Sequence, residues 1–450
     1  MNAFAPYRQI LRHVQPIRLT GRVRAVRGLT ASVSDFSAPI GAGCRIARGT
    51  RSIDARVIGF ADDDTLVMPL GPMAGICRGD RVVSCVDEQT IGLGPSVLGR
   101  VLDGFARPID GRGAIRIDSR CSIWPDPMGP MDRRRITEPL PTGVRAIDAM
   151  LTIGRGQRMG IFSGSGVGKS VLLGMIARYT AADVTVIGLI GERGKEVRDF
   201  IERDLGPDGL KRSVVVVSTG DEPPLLRVQG GAVATAVAEH FRDRGADVLL
   251  LIDSLTRLAT AQRQIGLAAG EPPATRGYTP SVFNLLPQLL ERSGRTQRGS
   301  ITGFYTVLVE ADDMNEPISD AVRAVTDGHA HLSRRLAERG HFPAVDVLGS
   351  VSRAMTDVAD AEHLAAARQV QALMAAYAEV EDLVSIGAYQ QGTRADCDLA
   401  VRMAPRVRKL LQQQTDQPAD FEQTRRSLIE LAGQIERAKR ETTGPLAAWR

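Results

Sequence analysis

The sequence predicts an α/β protein with a mostly parallel sheet, a small all-β unit before it and a helical unit after it. Three observations carry this. Met159–Tyr179, MGIFSGSGVGKSVLLGMIARY, runs from an apolar strand through a glycine-rich turn into a helix. From Val144 to about Val351 apolar runs alternate with helical segments, as happens when helices cover both faces of a parallel sheet. Ahead of that stretch lie short runs rich in Val and Ile, separated by Gly, Asp and Ser, and after about Thr356 the strand pattern stops.

A chain of 450 residues holds two or three domains. Its 43% hydrophobic and 24% charged content is that of a soluble globular protein. No apolar run approaches the roughly 20 residues that span a bilayer, and the start, MNAFAPYRQILRHVQPIR, lacks a secretory apolar region. The expectation is a cytoplasmic protein. Five scattered cysteines with no C-x-x-C pair read as reduced thiols, neither disulfides nor metal ligands. Of 57 basic residues only five are lysines, and the net charge is +5. Arg133-Arg134-Arg135, the densest cluster, reads as a solvated connecting loop, and 4% aromatics leave few platforms for stacking bases.

In chain order, residues 1–20 form a basic amphipathic lead, with Ile10, Leu11 and Val14 able to share a helix face. A partner-docking arm and a frayed terminus both fit it. Gly21–Val26, Ala55–Phe60, Thr65–Pro69 and Arg81–Val86 read as strands of a small barrel. Ile91–Arg112 is a Gly- and Pro-rich crossover, and Asp118–Pro141 is irregular. Arg158–Phe162, Val184–Ile190, Ser213–Ser218, Val248–Ile252 and Ile301–Val309 are the sheet strands. Val370, Leu373, Met374, Tyr377 and Val384 fall at helical spacing, as do Leu428, Leu431 and Ile435 after Asp420, a helix cap. Those stripes read as core.

The chemistry gathers where parallel sheets bind ligands, beyond the carboxyl ends of strands. Ser163, Gly164, Ser165, Gly166, Val167, Gly168, Lys169 and Ser170 follow the first sheet strand. Glycines let the backbone turn and aim N–H groups at an anion, and the next helix adds its positive end. Lys169 suits the β- and γ-phosphates, and the Ser170 hydroxyl suits Mg²⁺. The pattern G-x-x-x-x-G-K-[ST] asks for Gly where this chain has Ser163, which accepts positive φ less readily. Asp253 ends the strand VLLLID and is read as the Mg²⁺-site carboxylate rather than a helix cap. Glu192 follows VTVIGLI, placed to serve as the base for an attacking water, with Arg193 beside it; a surface ion pair of Glu192 with Lys195 or Arg198 is the alternative. Glu310-Ala311-Asp312-Asp313 lacks a histidine at ligand spacing, and His329-x-His331 reads as structural.

GSGVGKS, IGERGKEV, LLLIDSLTRLA, GEPPATRGYTPSVF, GSITGFYTVLVEADDMNEP and HFPAVDVLGSVSRAM together resemble the export ATPases of bacterial flagella and type III secretion systems, relatives of the rotary ATP synthase catalytic subunits. The likeness runs from about residue 20 to the C-terminus, and PPLLRVQG and QPADFEQTRRSL are more similar to the flagellar branch. It implies an N-terminal arm (1–20), a β-barrel (21–92), a RecA-like ATPase core (93–355) and a helical C-terminal domain (356–450), assembled as a homohexamer that hydrolyses ATP with Mg²⁺. It implies catalytic roles for Lys169, Glu192, Arg193 and Asp253, and it matches Arg353 to the arginine that crosses a subunit interface to the γ-phosphate.

The implied partners are stator and stalk proteins, export substrates with their chaperones, and a membrane export gate met peripherally at the inner face; no specific nucleic acid is implied. Leu364 stands where the rotary relatives place an aromatic that stacks on adenine, so an aliphatic surface is expected under the base. The other readings are an injectisome ATPase, a rotary ATPase subunit, which needs a second similar chain, and a ring helicase, which needs a basic, aromatic pore.

Overall fold

The computed structural model describes residues 18–85, 89–309 and 315–443. Residues 1–17 of the expected arm (1–20) and the whole acidic segment Glu310–Asp313 lie outside the described residues. Six strands close a barrel: β1 (Thr20–Arg27), β2 (Thr30–Ser34), β3 (Gly43–Arg48), β4 (Arg51–Ala61), β5 (Asp64–Pro69) and β6 (Arg81–Ser84), ordered β1-β2-β5-β4-β3-β6. Alternation builds it. Val23, Val33, Ile46, Val57, Val67 and Val82 point inward and are buried, while Arg22 and Arg24 point out.

β7 (Thr90–Leu93) pairs only with β9 (Ser119–Ser122), and between them β8 (Val101–Leu102) joins the edge of the main sheet. That sheet also contains β10 (Arg158–Ser163), β11 (Val184–Ile190), β12 (Ser213–Ser218), β13 (Asp247–Asp253), β14 (Gly294–Arg295), β15 (Ser300–Leu308), β16 (Gly328–Leu332) and β17 (Val345–Ser352). Its order is β17-β16-β10-β15-β13-β11-β12-β8, with β14 beside β15. Only β14 and β17 run antiparallel.

The expected strands are therefore present, and the physical reason for their continuous apolar runs is visible. Successive residues enter different cores: Ile161, Leu249 and Leu251 lie on one face, Phe162, Leu250 and Ile252 on the other. Helix α1 (Lys169–Tyr179) covers the first face. Helices α2 (Pro224–Arg242), α3 (Leu255–Ala268) and α4 (Pro280–Leu290) cover the second.

Helices α5 (Ala361–Ser385), α6 (Ala395–Leu411) and α7 (Phe421–Thr443) form the helical domain, and the Asp420 carboxylate caps α7 by accepting from Gln423 N at 2.8 Å. Val370, Leu373 and Leu428 share one continuous core with Leu172 of α1. Polar bonds fasten this domain beside α1: Gln413 Nε2 and Ala419 N donate to Gly143 O, and Tyr179 Oη donates to Thr415 O at 2.8 Å. The helices thus form a wall next to the glycine-rich loop.

Candidate functional site

The loop rises from the centre of the sheet. Ser163 is fully buried as the last residue of β10, where its carbonyl accepts from Val309 N at 3.0 Å. Positive φ falls instead at Gly166 (79°) and Gly168 (90°), so the expected penalty on Ser163 does not arise. That position is extended strand, which any residue adopts. Gly168 caps α1, and the helix starts at Lys169 itself.

Since β10, β11 and β13 run parallel, their carboxyl ends meet at one edge, and there the charges converge. The Lys169 ammonium lies 2.5 Å from Asp253 Oδ1 and 3.8 Å from Glu192 Oε1. Thr306 Oγ1 donates to the same Asp253 oxygen at 2.7 Å. Arg257, on α3, lies 3.2 Å from Glu192 Oε2 and donates to Gly191 O at 2.7 Å. A glycine is required at 191 twice over: its φ is 74°, and a Cβ would meet the Arg257 side chain at 2.8 Å. Neither Lys195 nor Arg198 takes the place of Arg257; Arg198 pairs with Glu202.

Burial pushes the Glu192 carboxyl up to about 7, helped by hydrogen bonding with Glu196 and the Asp253 charge and opposed by Lys169 and Arg257. Glu196 is held below its usual range by the same contact with Glu192. Glu192 Oε1 is buried with no hydrogen-bond partner among the described residues. It is an acceptor facing Lys169, suited to a water proton. Ser170, exposed at the start of α1, and Asp253, at the tip of β13, are oxygen donors of the hard type that Mg²⁺ takes, so the donor set fits that ion.

Two expected residues sit elsewhere. The Arg193 side chain is 81% exposed and pairs with Glu196 at 3.7 Å, away from Lys169. Arg353 follows β17, whose last residue pairs with the first of β16 (Ser352 with Gly328), while β16 continues level with β10 (Gly160 with His329, Ser163 with Leu332). Arg353 therefore lies at the amino edge of the sheet. Four strand residues, about 13 Å, separate that level from Ser163 before the loop adds its own height. Arg353 is exposed, and among the described residues no hydrogen bond or ion pair holds its guanidinium.

Sequence reasoning missed Phe342 and Arg257. Phe342 is 44% exposed, and its ring lies 3.5 Å from where a side chain on Gly168 would begin. It lines a cleft of about 990 Å³ with Val171, Met175, Arg145 and Gln414. The signal was available as the lone aromatic before Pro343 in HFPAVD. Leu364 does not line this cleft; it packs from α5 against the core.

The nucleotide-binding domain model of the ATP synthase alpha/beta family matches residues 143–352, and that of the T3SS EscN ATPase C-terminal domain matches 359–430. The flagellum-specific ATP synthase of Treponema pallidum is 52% identical over 429 residues, 95% of this chain and 96% of that protein. The type 3 secretion system ATPase of Xanthomonas euvesicatoria is 49% identical over 409 residues, 90% and 92% of the two chains. Among solved structures, assembled EscN from the enteropathogenic E. coli type III secretion system superposes with a TM-score of 0.87 at 42% identity, covering 92% of this chain and all of that one. EscN in complex with its central stalk EscO gives 0.84 at 41%, with the same coverage.

Proposed function

The chain belongs to the ATP synthase alpha/beta family, with the flagellum-specific ATP synthases and type III secretion ATPases, and we propose that a ring of six copies hydrolyses MgATP to drive protein export through a flagellar-type apparatus. The observation that carries the chemistry is Lys169 held between Asp253 and Glu192 at the mouth of a glycine loop.

Loop N–H groups and Lys169 bind the β- and γ-phosphates, and Phe342 with its cleft takes the adenine. Ser170 and Asp253 would hold Mg²⁺, which would supply positive charge to the phosphate oxygens. Glu192 accepts a proton from water as the water oxygen bonds to the γ-phosphorus and the bond to the β-phosphate oxygen breaks, giving ADP and phosphate. Arg257 fixes the Glu192 carboxylate through one oxygen, leaving the other for that water. Arg353, remote from its own loop, supplies charge to the neighbour's γ-phosphate.

No helix among the described residues is long and apolar enough to cross a membrane. In this reading the ring works at the cytoplasmic face of the membrane. There a stalk protein sits at its centre, stator proteins tether it, and it takes chaperoned substrates to the export gate. Glu192→Gln should bind MgATP normally yet turn over at least about 10²-fold more slowly. In a deletion strain the wild-type chain should restore flagellar filaments and Glu192→Gln should not. Undiminished hydrolysis by the variant, or filaments in the strain without the gene, contradicts the proposal.

A further inference from the structure

We infer that Gln157, Asp327 and Ser352, at the adjoining ends of β10, β16 and β17, are positioning residues for Arg353, with Gln157 tying them to the strand that also carries the protomer's own phosphate loop; this rests on the role given to Arg353 above. The residues around Arg353 are tied down with unusual completeness. Arg353 N donates to Asp327 O at 2.9 Å. Gln157, fully buried directly before β10, donates from Nε2 to Ser352 Oγ at 3.0 Å and to Asp327 O at 3.4 Å, and its Oε1 accepts from Gly154 N at 2.8 Å. Ser352 Oγ in turn donates to Thr152 O at 2.9 Å.

The next residue of the strand completes the clamp. Arg158 donates from N and Nε to Asp327 Oδ2 at 3.0 and 3.1 Å and from Nη2 to Oδ1 at 3.1 Å, and it also pairs with Glu291. Both carboxylate oxygens and the carbonyl of Asp327 are therefore committed to residues 157, 158 and 353.

A long exposed side chain has many rotamers, and ordering it costs entropy. What the protein can fix is the backbone from which the guanidinium starts. Here that backbone is held by the buried Ala354 and Met355 on one side of Arg353 and by polar groups on the other, where Ser352 is half-buried and Arg353 itself is exposed. Directional bonds to Gln157 and Arg158 set its place relative to β10, whose far end is Ser163 and the loop. A displacement of about 1 Å in such a group can cost on the order of 10²-fold in rate.

The test uses the full-length chain in mixed rings. Lys169→Ala protomers lack a working cradle and keep Arg353; Arg353→Ala protomers lack the arginine and keep the cradle. Their mixture is the reference. Ser352→Ala, or independently Asp327→Asn, is then added to one component at a time. Added to the arginine donor, either change should lower the restored kcat at least about tenfold, with KM for ATP unchanged. Added to the cradle donor, either should change it less than about twofold, since that protomer's position 353 contributes nothing. Equal losses in both backgrounds, or none in either, overturn the positioning role alone. A silent reference mixture overturns the reading of Arg353 and this inference with it.

Discussion

The two edges of the central sheet are built oppositely. At the carboxyl edge Lys169, Asp253, Glu192 and Arg257 are crowded within reach of one another and partly withdrawn from water. At the amino edge Arg158 pairs with Asp327 and Glu291, Arg133 also pairs with Glu291, and Arg353 projects with no hydrogen bond or ion pair to its guanidinium among the described residues. Under the proposed function the first edge holds the triphosphate and activates water but lacks a second cation for the γ-phosphate. The second has that cation and no cradle. In the proposed reading such a protomer is half of two sites, and its edges meet productively only in a closed ring.

The strongest way to break this comparison is to remove the projecting charge. Arg353→Ala should cost roughly 10³–10⁵ in kcat while nucleotide binding to the isolated chain, read by a fluorescent ATP analogue, stays the same. A loss of binding by the lone chain would move Arg353 to its own cradle.

The next test sharpens the carboxyl edge. Phe342→Ala should raise KM for ATP about tenfold, the worth of one aromatic platform, with little change in kcat, whereas Leu364→Ala should leave KM alone. Equal effects would restore Leu364 as the base contact.

Acid then separates the edges. With the Glu192 carboxyl near 7, kcat/KM should fall about tenfold per pH unit below that value. Arg257 lowers this carboxyl, so Arg257→Met should move the acid limb upward. An unchanged limb would remove Arg257 from the site.

The smallest expected effect is on stability. The fold favours neutral Glu192, so its contribution is full below the ordinary carboxyl range and is lost as pH rises through about 7. Glu192→Gln should then melt about 1–2 °C higher than the parent at pH 8 and equally at pH 4. A lower melting point at pH 8 would mean the carboxylate is a net stabiliser.

Most of the carboxyl edge was legible in the sequence, because buried parallel strands are continuous apolar runs and their last residues, Ser163, Ile190 and Asp253, announce where the loops begin. The amino edge was not. β17 is an edge strand in which Asp346, Gly349 and Ser350 interrupt the apolar pattern, and β16 carries His329 and His331, so neither reads as a strand alone. The role of Arg353 came only through family likeness, and its placement only through register. In the barrel, β2 and β3 escaped notice because Ser32, Ser34 and Arg45 take the outward positions and leave too few consecutive apolar residues. Arg257 was hidden for another reason: it sits on a helix and reaches back to Glu192, a contact made by tertiary packing rather than spacing.

The most direct measurement is turnover by the mixture of Lys169→Ala and Arg353→Ala chains, each silent alone. If hydrolysis takes place between protomers, random assembly places an intact cradle against an intact arginine in about a quarter of the seams, and the mixture should regain activity in that proportion. Rings that assemble yet stay silent at every mixing ratio would show that no chain lends its arginine to another, and would contradict the account.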